Sequence, residues 1–138
     1  MNIESFRDIL AKDGPSKALG MEFLSTPDPD TCEARMAVGD SNTQPFGFLS
    51  GGASLALAET LAGVASCALC PGQICVGINV QANHVHSAFR GDVVTAKAEL
   101  IHRGATTHVW CVNIRNGQGE LTSTINVTNY ILPKKVES

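Results

Sequence analysis

Residues 44–66, QPFGFLSGGASLALAETLAGVAS, decide the fold, because they contain most of one long helix that is apolar on all sides. From about residue 52 to residue 69 the chain has no proline and many alanines and leucines, which favours an α-helix. Apolar residues continue almost all the way around, so this helix is predicted to be buried rather than half-exposed. Its one charged residue, Glu59, is also the only Asp, Glu, Lys or Arg between residues 41 and 89, and that isolation needs an explanation.

The rest of the chain is predicted mainly as strands around that helix. A short amphipathic helix is predicted at residues 3–12, and an antiparallel hairpin at residues 19–26 and 31–38. The turn segments FRGD, RGAT and NGQG separate four further predicted strands, at residues 74–84, 93–102, 107–115 and 121–131. One long helix and an antiparallel sheet predict an α+β fold of two layers, and the sheet must curve because the helix is apolar on all sides.

Length and composition predict one ordinary soluble domain over residues 1–138, with the polar tail PKKVES at its end. Hydrophobic residues make up 43% of the chain, and a net charge of −3 offers no basic excess for nucleic acid, which we do not expect as a partner. Charged residues near the start argue against a secretory signal, and no segment is expected to span a membrane. We therefore expect a cytoplasmic protein.

The cysteines and histidines give only weak signals of a metal site. Five cysteines form an odd set, which fits reduced thiols better than disulfides. Cys67 and Cys70 form a CxxC pair without a second pair at zinc spacing, so we favour packing over a metal or redox role. His84 and His86 lie on one strand face, but no third ligand accompanies them. We expect neither a metal nor a cofactor.

The start of the long helix has the groups that are needed to polarise a carbonyl. Gly51 and Gly52 expose backbone N–H groups that lack partners inside the helix, where the helix dipole favours negative charge. Gln44 in the preceding loop adds an amide donor, and Glu59 offers a base or nucleophile. Eight residues separate Glu59 from Gly51, a helix rise of about 12 Å. If both act on one substrate atom, Glu59 must come from a second subunit, which predicts a two-fold dimer.

Several motifs together resemble the hotdog-fold acyl-CoA thioesterases over residues 19–131. They are TQPFGFLSGGASLALAETLAGVA, NVQANHVHSA, GDVVTAKAELIHRG and HVWCVNIRNGQGEL. The resemblance is to the branch with a catalytic glutamate on the central helix, which includes the 4-hydroxybenzoyl-CoA and dihydroxynaphthoyl-CoA thioesterases. It implies a curved sheet wrapped around one helix, a homodimer or a homotetramer built as a dimer of dimers, and hydrolysis of an aromatic or medium-chain acyl-CoA.

The resemblance also implies roles for individual residues. Glu59 matches the nucleophile or general base, Gly51 the backbone donor to the thioester carbonyl, and Gln44 the amide that orients the substrate. Ser50 stands where the family usually has histidine; it can donate a hydrogen bond but cannot carry a positive charge. Gly63 stands where a serine or threonine often positions water.

For the coenzyme A half of the substrate, the family's NHxRSA stretch is matched at His84 and Ser87, whereas His86 replaces the expected arginine. A ligand rich in phosphate needs cationic or N–H donors at the mouth of its site. Three further side chains near turns are candidates for this contact: Arg90, Arg103 and Thr106.

Two other functions stay open at this point. A hotdog dehydratase or hydratase would act on the same class of substrate, but it normally uses a histidine base near this helix, and residues 1–83 contain no histidine. A non-catalytic or weakly active acyl-CoA binding protein is consistent with Ser50 and Gly63. For Glu59 the alternative is a structural carboxylate that faces solvent or has a partner the sequence does not reveal.

Overall fold

The computed structural model describes residues 1–12 and 14–133; residue 13 and most of the polar tail, residues 134–138, lie outside the described residues. Two short helices come first, α1 (Glu4–Lys12) and α2 (Gly14–Leu19), followed by a hairpin of β1 (Met21–Leu24) and β2 (Thr31–Ala37). The long helix α3 (Gly51–Leu69) then leads into four strands, β3 (Cys75–His84), β4 (Val93–Arg103), β5 (Thr107–Arg115) and β6 (Leu121–Ile131).

The six strands form one antiparallel sheet in the order β1-β2-β4-β5-β6-β3. Alternation along each strand decides which side chains face the helix: in β2, for example, Cys32, Ala34 and Met36 are buried. Helix α3 contacts every strand from β2 to β6, and Leu57 and Leu61 of α3 are fully buried in the core. The predicted α+β hotdog fold, a curved sheet around one helix, is confirmed.

Helix α2 was not expected from the sequence. The segment KDGPS predicts a stop after the first helix, yet the chain resumes a helix at Gly14. Gly14 adopts a positive φ of 78°, which breaks the path of α1, and Pro15 then fits the first turn of α2 because that turn needs no N–H donor from it. The same two residues therefore end one helix and begin the next.

Helix α3 is the one described segment whose length and composition are those of a membrane span. By length and composition alone this helix could cross a membrane, with a mean hydropathy of 1.5 over its most apolar window. Half of that window is buried inside the protein, where the sheet surrounds it. The apolar composition of α3 is thus accounted for by packing in the core.

A polar network is buried where α3 ends. The Ser66 hydroxyl accepts hydrogen bonds from Trp110 Nε1 (2.9 Å) and Asn129 Nδ2 (3.0 Å), and it lies 2.9 Å from His108 Nδ1. A hydroxyl has two acceptor positions and one proton, so Ser66 must donate that proton to His108. His108 is therefore neutral, with its own proton on Nε2. Burial lowers the pKa of His108, and the charges of Arg103 and His102 lower it further.

This network makes stability depend on pH in a defined direction. The unfolded chain protonates His108 near pH 6.5, whereas the folded protein resists protonation, so the free energy of unfolding is expected to fall as the pH drops below about 6.5. Urea unfolding at pH 7.5 and pH 5.5 measures this loss. His108→Gln should make the loss smaller, whereas the exposed control His86→Gln should not; equal pH dependence in all three proteins would contradict the prediction.

Candidate active site

The loop before α3 is held by one buried asparagine. The side-chain amide of Asn42 donates to the carbonyl oxygens of Leu19 (3.1 Å) and Ala37 (2.8 Å), and its side-chain oxygen accepts from the Gly39 N–H (3.0 Å). The backbone carbonyl of Asn42 accepts from the Ser50 N–H at 2.8 Å. Asn42 thereby fixes the point at which α3 begins. Asn42 does not stand out in the sequence, because an asparagine in a polar turn segment is usually exposed.

Helix α3 begins with free backbone donors. Ser50 is the N-cap: its backbone is extended, and its hydroxyl accepts from the Ala53 N–H at 3.0 Å. Among the described residues, nothing accepts a hydrogen bond from the N–H of Gly51 or Gly52. The positive end of the helix dipole is at the same place. The hydroxyl of Ser50 is thus used within the helix cap, and the two glycines carry the free donors.

His84, at the end of β3, lies directly over Gly51. A Cβ atom on Gly51 would stand 2.9 Å from His84 Nε2, so only a glycine leaves room for the imidazole there. A hydrogen bond of 2.7 Å joins His84 Nδ1 to the buried Ser123 hydroxyl of β6 and fixes the ring. If Ser123 donates this bond, Nε2 carries the ring proton and becomes one more donor beside the helix start. Ser123 was also missed in the sequence, since it lies 39 residues from His84.

These groups line a cleft of about 320 Å³, which we call the α3 cleft. Its walls come from the loop before α3, the first turn of α3, the segment after β3 and the start of β6: Gln44, Phe48, Leu49, Gly51, Ser54, residues 84–88, Thr122 and Ser123. The side-chain oxygen of Gln44 accepts from the Phe46 N–H, which leaves its NH₂ group to donate. No lining residue is a Lys, Arg, Asp or Glu. The cleft therefore has several donors and no carboxylate in its lining, which suits an oxygen that acquires negative charge.

Glu59 lies outside the α3 cleft of its own chain. It is exposed on the side of α3 that faces β3, where its carboxylate rests against Gly77. The helix rise of about 12 Å from Gly51 agrees with its absence from the cleft lining. Within one chain, the structure brings Gln44 and Gly51 together but does not bring Glu59 to them.

The residues expected at the coenzyme A half divide into three groups. His84 and Ser87 line the α3 cleft, as does His86, which lies 3.5 Å from the Glu120 carboxylate. Arg90 pairs with Asp40 and donates to the Thr43 hydroxyl at 3.1 Å, outside the cleft lining.

Arg103 lies at the opposite end of α3, where it donates to the Leu69 carbonyl at 3.2 Å, and Thr106 lies in the turn that follows. Neither shares a cleft with His84 in this chain. The sequence alone did not indicate that His84 lies at one end of α3 whereas Arg103 and Thr106 lie at the other.

The thiols near the end of α3 form a packed cluster. Cys70 Sγ is 3.8 Å from His108 Nε2, and burial, together with the neighbouring Cys67, raises the pKa of Cys75 to about 12. A high pKa disfavours the thiolate that metal binding and disulfide exchange require. Within residues 1–12 and 14–133, no group of three or more His, Cys, Asp or Glu side chains is arranged to hold a metal.

Within the described residues, strand β3 ends the sheet, and no other strand pairs with its outer edge. Strand β3 is ten residues long. Apolar side chains on this strand and on the turns beside it are exposed to solvent, including Ile74 (61% exposed), Ile78 (59%) and Val85 (57%). A long apolar edge strand is open to pairing with another chain, and soluble proteins usually cover such an edge.

The chain is similar to known proteins over most of its length. The sequence model of the thioesterase superfamily matches residues 46–123. The 1,4-dihydroxy-2-naphthoyl-CoA hydrolase of Escherichia coli K12 is 40% identical over 104 residues, which cover 75% of this chain and 76% of that protein. The hydrolase of the same name from Listeria monocytogenes is 33% identical over 123 residues, covering 88% and 98%. Among solved structures, thioesterase HI1161 of Haemophilus influenzae has a TM-score of 0.87 at 33% identity, covering 96% of this chain and 91% of that one.

Proposed function

Because the chain belongs to the thioesterase superfamily and is a thioester hydrolase, we propose that its substrate is an acyl-CoA with an aromatic or medium-chain acyl group. The two relatives named 1,4-dihydroxy-2-naphthoyl-CoA hydrolase support an aromatic acyl group. Membership of this superfamily also weighs against the purely binding protein that Ser50 and Gly63 left open.

One observation carries the proposal: the free N–H groups at the start of α3 open into a cleft that no carboxylate lines. The thioester oxygen would lie against the Gly51 N–H, where the Gln44 amide and His84 Nε2 can also donate to it. Such donors stabilise the negative charge that develops on this oxygen in the transition state, and loss of one donor typically costs about 10²–10³-fold in kcat. His84 thus places an imidazole beside Gly51, although Ser50 stands where the family usually has a histidine.

Glu59 of the partner subunit completes the proposed site. Two chains that pair through the exposed edge of β3 would bring their α3 helices side by side and antiparallel, so that each Glu59 approaches the cleft of the other chain. The unpaired apolar edge supports this arrangement. The arrangement explains why Glu59 is the only Asp, Glu, Lys or Arg between residues 41 and 89. This one carboxylate would face the substrate within an apolar interface.

The proposed reaction is hydrolysis of the C–S bond. The ionised Glu59 carboxylate of the partner subunit either removes a proton from water or attacks the carbonyl carbon itself, and both routes need the same charge at the same distance. A new C–O bond forms, the oxyanion collapses, and the C–S bond breaks. If Glu59 itself has attacked, the product at this stage is an acyl–Glu59 anhydride, which water then hydrolyses to release the acid and restore the carboxylate. The coenzyme A thiolate leaves and takes up one proton, so that one water is consumed and an acid and a thiol are formed.

His84, His86 and Ser87 are proposed to contact the coenzyme A half where it leaves the α3 cleft. Arg90 is near enough along the chain to assist but would have to leave Asp40. Arg103 and Thr106 could reach the same ligand only from the other subunit, since they lie at the far end of α3.

Thiol release from a substrate panel tests the proposal. We expect benzoyl-CoA and 1,4-dihydroxy-2-naphthoyl-CoA to be hydrolysed with a higher kcat/KM than acetyl-CoA. The N-acetylcysteamine thioester of the same acyl group should react with a higher KM because it lacks the nucleotide half. Equal KM for both thioesters would contradict recognition of coenzyme A, and hydrolysis of acetyl-CoA alone would contradict the proposed acyl class.

A further inference from the structure

Gly77 of β3 leaves the space in which the Glu59 carboxylate rests. A Cβ atom at position 77 would stand 2.7 Å from Glu59 Oε1 and 3.4 Å from its Cδ, and the first of these separations is too short for any real side chain. No hydrogen bond or ion pair holds the carboxylate within the described part of the chain. The absence of a side chain at position 77 thus gives the carboxylate the space in which it lies.

The backbone does not require glycine at this position. Gly77 is not among the glycines with a positive φ, so alanine can adopt the same backbone conformation. The three nearest atoms all belong to the outer part of the Glu59 side chain, which can turn away at little cost in stability. A methyl group at position 77 would therefore act on the direction of the carboxylate rather than on folding.

A β-bulge places Gly77 and His84 on the same face of β3. Seven residues separate them, and in a regular strand an odd separation would put them on opposite faces. The register shifts between Gly77 and Asn79, which makes Ile78 the extra residue and reverses the alternation once. As a result Gly77 faces Glu59, and His84 faces Gly51. Strand β3 therefore contacts both the proposed catalytic carboxylate and the glycine proposed to bind the thioester oxygen.

We propose that Gly77 is a positioning residue for Glu59, which keeps the carboxylate against β3 and directed along the edge where a second chain would pair. This inference rests on the proposed function, because it gives Glu59 its catalytic role. Gly77 touches neither substrate nor reacting atoms; it acts through the space that it leaves for Glu59.

A double-mutant cycle tests the role of Gly77. Gly77→Ala is expected to lower kcat by about tenfold to a hundredfold, the cost of moving a catalytic group by about 1 Å, with KM and Tm nearly unchanged. Glu59→Asp shortens the side chain by about 1.5 Å and removes the contact with the new methyl group. In the Glu59→Asp background, Gly77→Ala should therefore lower kcat by less than about threefold, since the two sites are coupled.

Gly39→Ala is the matched control, because Gly39 has a φ that is not positive and, apart from its chain neighbours, no atom of the described residues lies within 4 Å of its Cβ position. It should leave kcat unchanged. An equal loss from Gly77→Ala in both backgrounds, or no loss in the wild type, would overturn the role of Gly77 alone. Full activity of Glu59→Gln would instead overturn the proposed function, and the role of Gly77 with it.

Discussion

Replacing Glu59 by glutamine is expected to lower kcat for acyl-CoA hydrolysis by about 10²–10⁴-fold, the usual contribution of a positioned base. Glutamine has nearly the same shape and still fits the space beside Gly77, but its amide can neither accept the proton of water nor attack a carbonyl carbon. The change should not affect KM strongly, since in the proposed site Glu59 would act on the reacting atoms and the coenzyme A half would bind elsewhere. Thiol release under saturating substrate measures the loss in kcat.

The same substitution separates catalysis from stability. Glu59 is exposed and has no ion pair among the described residues, so the free energy of unfolding should change by less than about 0.5 kcal/mol. Glu99→Gln is a suitable control, because it removes an exposed carboxylate of β4 that does not line the α3 cleft. A Glu59→Gln protein that folds and hydrolyses substrate at the wild-type rate would show that the carboxylate has no chemical role.

The secondary structure could be predicted because its signals are local. The four strands after α3 were expected within one residue of their observed ends, since alternation and turn residues such as NGQG are properties of neighbouring positions. The buried character of α3 followed from its composition in the same way. Helix α2 was missed because the sequence does not show whether Gly14 and Pro15 end a helix or also begin another.

The arrangement of the candidate site could be predicted only in part. Gln44, Gly51 and Glu59 stand out as residue types, but the partners that orient the site are distant in sequence. His84 lies over Gly51 although 33 residues separate them, and Gly77 contacts Glu59 across the gap between helix and sheet. The β-bulge that lets one strand supply both contacts leaves no clear mark in the sequence, because it depends on the register with β6. These features come from tertiary packing rather than from local pattern.

Two inactive variants are expected to restore activity when their subunits are mixed. Glu59→Gln removes the carboxylate, whereas Gly51→Val fills the cleft, because a Cβ atom there would lie 2.9 Å from His84 Nε2. Each variant alone should be almost inactive. If every site combines the cleft of one subunit with Glu59 of the other, a mixed dimer contains one site with both groups intact. Random mixing in equal amounts makes half of the dimers mixed, so about a quarter of the wild-type activity should return.

Refolding the two variants together, with a different affinity tag on each, allows the mixed dimers to be isolated and assayed. Subunits that carry both substitutions provide the control: mixed with Glu59→Gln subunits they exchange in the same way but form no complete site, and they should stay inactive. A site contained within one chain gives no recovery in any mixture, because each chain then lacks one essential group. Since about 12 Å of helix separates Glu59 from Gly51, that outcome would mean that the two groups never act on the same carbonyl.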